Sequence, residues 1–261
     1  MLTFPLFQIP GVNGSCVIHN HSPNNWEIKN GKYSYYSIFE ACKDYWTLLE
    51  CNEISTQESI SVKFKAEGSK NHEAIVSHYP LKIVMLSKQK PQSKYQDFPR
   101  NPDVINKWPE WRSTIGLFNK KTASFYQGEI SPFPPNGNLL SVHPFIQPKP
   151  NNNFFIFVNF ERSAKARYAN LNIVSSLTKN VIYNCTVLNN SCNVINLNFL
   201  EIKQKDLPMF CCKTMTGIPF GFTTNAECNQ FSFEHTHPPG SIVLGANRFH
   251  FQKKIKQKWL I

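Results

Sequence analysis

From residue 113 to residue 206 apolar residues come in short runs separated by polar turns. Residues 114–118 (TIGLF) lead into an Asn-Lys-Lys turn, and 123–130 come back from it. The stretch 131–138, rich in Pro, Asn and Gly, turns again before 139–145, and runs at 154–158, 171–174, 181–183 and 193–197 continue the series. Short β-branched and aromatic runs with turns about every eight to twelve positions predict an all-β sandwich or barrel.

The flanks carry the same signal. Residues 59–64 (SISVKF) alternate cleanly, as a half-buried strand does, and 15–18, 32–39 and 78–86 read as further strands. Residues 39–49 fit one or two helical turns as well as they fit strand. Beyond residue 208 the runs 209–215, 217–222 and 230–237 extend the pattern. In the tail, Phe251, Ile255 and Trp259 stand four apart between lysines, which predicts a short basic helix.

The expected fold is therefore mostly all-β: antiparallel β-sandwich modules, immunoglobulin-like in style, with a short C-terminal helix. Residues 88–107, rich in Lys, Gln, Pro and Asn, read as a linker. It divides an N-terminal β module (1–87) from a larger C-terminal β-sandwich (108–261). Three segments, 60–64, 140–145 and 195–199, share an alternating grammar ending in Phe, and each is expected to close the edge of a sandwich-like unit.

Composition refines this picture. With 41% hydrophobic residues the 261-residue chain can fill a core, and 21 Phe, 9 Tyr and 5 Trp suit strands. The net charge of +11 points to anionic partners. Lysine greatly outnumbers arginine, and arginine is the residue that grips phosphate in bidentate fashion, so the excess is partly a bias of composition. The first ten residues, MLTFPLFQIP, have no basic lead and two prolines, neither a signal peptide nor a membrane span. The expected compartment is the cytoplasm, with the eight cysteines reduced. Cys211 and Cys212, adjacent on a strand, point to opposite faces and do not suit a mutual bond. The four Asn-x-Ser/Thr sequons, at Asn13, Asn20, Asn184 and Asn189, are what so much asparagine produces by chance.

Three constellations could carry chemistry. His235 and His237 share a strand face with Phe231 and Phe233, and His19 and His21 form a second His-x-His pair. Together, with Glu234 or Glu27, the four histidines would hold a divalent metal if the two ends met; otherwise they close a core, and no cofactor is expected. Trp108, Glu110, Trp111 and Arg112 combine indole faces with a carboxylate and a guanidinium, a surface suited to sugar rings and their hydroxyls. The lysine-rich tail could meet an anionic membrane or nucleic acid. Nucleotide loops, the Gly-x-Ser-x-Gly elbow, His-Glu-x-x-His and Cys-x-x-Cys are all absent from the sequence. The leading expectation is a non-catalytic binding or assembly protein for a polar polymer such as a glycan. A metal-dependent enzyme built on His19, His21, His235 and His237 is the alternative, and a membrane or nucleic-acid adaptor comes third.

Overall fold

The computed structural model describes residues 1–20, 33–56, 58–66, 74–99, 113–128, 130–142, 146–200 and 206–235. Among them are eighteen strands and no helix. They are β1 (Leu2–Leu6), β2 (Asn13–His19), β3 (Tyr35–Cys42), β4 (Tyr45–Glu53), β5 (Ser59–Phe64), β6 (Val76–Pro80), β7 (Lys82–Ser87), β8 (Lys94–Tyr95) and β9 (Ser113–Phe118). There follow β10 (Ala123–Gln127), β11 (Leu139–Val142), β12 (Asn152–Asn159), β13 (Tyr168–Ser175), β14 (Val181–Leu188), β15 (Ser191–Asn196), β16 (Pro208–Cys212), β17 (Ile218–Thr224) and β18 (Phe231–His235). The expected C-terminal helix lies outside the described residues.

The strands form four antiparallel sheets: sheet I (β1-β7-β3-β4-β8), sheet II (β10-β9-β2-β5), sheet III (β18-β17-β12-β15-β6) and sheet IV (β11-β16-β13-β14). Sheet III is the central layer. Phe154, Ile156 and Val158 of β12 pack into one core with Phe4 and Val84 of sheet I and Cys16 and Leu117 of sheet II. The alternate residues Phe155 and Phe157 pack into a second core with Leu171, Cys185 and Phe210 of sheet IV. Phe155 stacks on Phe210 with ring centroids 3.6 Å apart. Burial on both faces explains why β12 reads FFIFV without alternation, as a strand covered on both sides does.

The ambiguous segment 39–49 is a hairpin, β3–β4, turning at Lys43 with φ 58°. Its Trp46 is fully buried against Phe98 and Phe160 with near-perpendicular rings, and its Nε1 donates to the Arg162 carbonyl at 2.8 Å. Cys212 and Cys211 enter different clusters, as adjacent residues of a strand must.

Hydrogen-bonded pairing runs across the segment 88–107. β6 joins sheet III by pairing with β15, and β9 joins sheet II by pairing with β2. Within that segment β8 pairs with β4, and Phe98 is buried. Of the three strands with the shared grammar, β5 and β11 do close sheet edges. β15 does not, because β6 covers the side that β12 leaves open. Among the described residues no helix is long and apolar enough to cross a membrane.

Candidate functional site

The outer face of sheet II bears an open groove of about 410 Å³. Alternation on β2 and β9 sends Cys16, Ile18, Ile115 and Leu117 inward. One outward row then crosses all four strands in register: Phe125, Gly116, Ser15 and Lys63. The glycine is required there by space. A Cβ on Gly116 would lie 2.3 Å from Cδ1 of Phe125, so the ring rests directly on the glycine backbone while staying 52% exposed. Phe118 is the second ring of the groove, with the Lys63 ammonium 5.8 Å from its centroid.

The rim is the β9–β10 turn. Asn119 Oδ1 accepts from the backbone N–H groups of Lys121 and Thr122, each at 2.8 Å, the local bonding that makes Asn a turn former. Asn119 Nδ2 donates to the Cys228 carbonyl and the Thr122 hydroxyl to the Asn229 carbonyl, which fastens the turn to the hairpin joining β17 to β18. Lys120 and Lys121 are therefore carried on an anchored loop, both exposed beside the groove. Three ammonium groups line it, and among its described lining residues there is no carboxylate, histidine or thiol. This arrangement can attract anions and offer ring faces.

Three of the buried cysteines add no reactive group, while Cys42 is exposed and Cys51 half-buried. Burial pushes the Cys16 and Cys185 thiols up to about 12, and Cys211 to about 11. Thiols held so far above neutrality are poor nucleophiles. No disulfide joins cysteines among the described residues.

The two described histidines of the expected metal set have separate partners. His19 Nδ1 and Ser59 Oγ are 2.8 Å apart on the outer face of sheet II. His235 Nδ1 lies 3.1 Å from the Tyr126 hydroxyl, and its ring packs on Tyr126 and Phe220 at the margin of the large core. Tyr126, next to outward Phe125, faces inward, so sheet II stands between the two histidines. Among the described residues no three His, Cys, Asp or Glu side chains come together to hold a metal. His21 and His237 lie outside the described residues, as do Trp108, Glu110, Trp111 and Arg112. The groove residues escaped sequence reasoning because Lys63 and Phe125 meet only through strand register; the one local cue was the Asn-Lys-Lys turn. No family model, no curated protein and no solved structure matches the chain.

Proposed function

We propose that the protein is a non-catalytic binding protein for an acidic polymer, an acidic glycan first of all, held in the groove on sheet II. One observation carries the reading: Lys63, Lys120 and Lys121 converge on a groove floored by Phe118 and Phe125, with no carboxylate among the described lining residues. Ammonium groups supply charge without the geometric selectivity of a guanidinium fork. Such a groove recognises charge density along a chain more than one defined group. The exposed Phe125 ring and the half-buried Phe118 ring add contact with the apolar faces of sugar rings. The net charge of +11 steers an anionic chain toward the molecule before contact.

The test is titration of the whole protein with a sulfated glycosaminoglycan at several salt concentrations. Three ammonium contacts should give a slope of log K against log salt of about −2 to −3, by release of bound counterions. Replacing Lys120 and Lys121 together by Ala should weaken binding roughly tenfold or more and reduce the slope by about two. Unchanged affinity in that variant overturns the reading. So does tighter binding of a single-stranded oligonucleotide of equal charge.

A further inference from the structure

Sheet IV carries a second groove, of about 580 Å³, on its outer face. Sheet III lies between this face and the basic groove, because its two faces pack into different cores. On β13 and β14 the inward positions are Ala169, Leu171, Cys185 and Val187. The outward positions between them form a grid in which Asn170 stands opposite Thr186, and Asn172 opposite Asn184. Tyr168 closes one end and Lys213 flanks the grid.

The grid is held from below. Arg167, the residue before Tyr168, is fixed by an ion pair to the buried Glu161 carboxylate, and its Nη1 donates to the Thr214 carbonyl at 2.9 Å. Its backbone N–H donates to Asn189 Oδ1 at 2.8 Å, and its carbonyl accepts from the Asn189 N–H at 3.0 Å. Tyr168 and Thr214, at two borders of the groove, thus adjoin one buried polar cluster. Across the grid Asn184 donates to Asn172, which fixes both amides. Among the described residues the side chains of Tyr168, Asn170, Thr186 and Lys213 make no hydrogen bond, the strand residues bonding through their backbone alone. Tyr168 is 63% exposed, the highest value of any large hydrophobic side chain among them.

The chemistry differs from that of the first groove. Amides and hydroxyls both donate and accept, at spacings of ~6.8 Å along a strand and ~4.8 Å across strands. Sugar hydroxyls need both roles, whereas a sulfate or phosphate needs donors and positive charge. Among the described lining residues of this groove Lys213 alone carries an ammonium group. An exposed tyrosine face beside amides suits the apolar face of a pyranose ring.

We propose that the outer face of sheet IV binds an uncharged saccharide chain, at a site separate from the basic groove. The experiment is calorimetric titration of the whole protein with uncharged hexasaccharides of glucose, mannose, galactose and N-acetylglucosamine. At least one binds saturably, and Tyr168→Ala and Asn170→Ala each weaken it by about tenfold. Thermal melting confirms that both variants fold. Lys120→Ala with Lys121→Ala leaves this affinity unchanged, so loss of the acidic-polymer reading does not remove this one. The proposal is overturned if none of the four binds at millimolar concentration, if both sheet IV variants bind as the parent does, or if the Lys120 and Lys121 replacements abolish binding.

Discussion

At Asp206 one carboxylate closes the turn after β13. Burial alone would raise its pKa, but the Ser175 and Ser176 hydroxyls and the Leu177 and Ser176 N–H groups donate to it and hold it below the usual carboxylate value. The folded state therefore gives up this proton more readily than the unfolded chain, whose Asp titrates near 3.9. The stability so contributed is fully present above that value and is lost as pH falls through the lower folded one. Asp206→Asn should lower the melting temperature at neutral pH and flatten its fall as pH drops below about 4, where the unfolded Asp titrates. A melting curve with the parent's acid slope would count against this account. Glu161 is the contrasting case, buried with Arg167 rather than at the water boundary. Its removal takes the carboxylate from Arg167 Nε and Nη2, leaving, among the described residues, the Arg167 side chain only the Thr214 carbonyl and Asn189 Nδ2 only the Lys165 carbonyl as acceptors.

Pairs of strands decide what the groove on sheet II presents. Gly116→Val would suit a strand by propensity, yet its Cβ falls where the Phe125 ring lies. The substitution should displace the ring and weaken binding of the sulfated glycosaminoglycan several-fold. In a Phe125→Ala background it should cost nothing further, because the two residues share one contact. Additive losses in that double-mutant cycle would separate the ring from the glycine. Strand existence was legible at this scale, since period-two alternation marks a strand and its faces. What alternation leaves open is the partner. Nothing in VSHYP at 76–80 names β15, more than a hundred residues later, as its neighbour. The groove was hidden for the same reason: Phe125, Gly116, Ser15 and Lys63 form a row only after two non-local registers are set. The segment 39–49 was ambiguous because Phe39, Cys42, Trp46 and Leu49 are spaced as a helix face would space them, whereas the turn at Lys43 makes a hairpin that buries Phe39 and Trp46 in one core.

Across the whole molecule, the sheets are shared between the two halves of the chain. Sheet II needs β9 and β10, and sheet III needs β6. Residues 1–107 and 108–261 produced as separate polypeptides should each lack cooperative melting, and co-expression should recover a stable complex of both. Two independently folded pieces would refute that dependence. The same crossing governs how the chain forms on the ribosome. Once Val76–Pro80 has been synthesised, its partner β15 is still about 110 residues from synthesis. At about 5–20 residues per second that delay is roughly 5–20 s. Through that interval the nascent N-terminal half carries strands whose neighbours have not yet been made, and a holdase that shields them should raise the yield of folded protein.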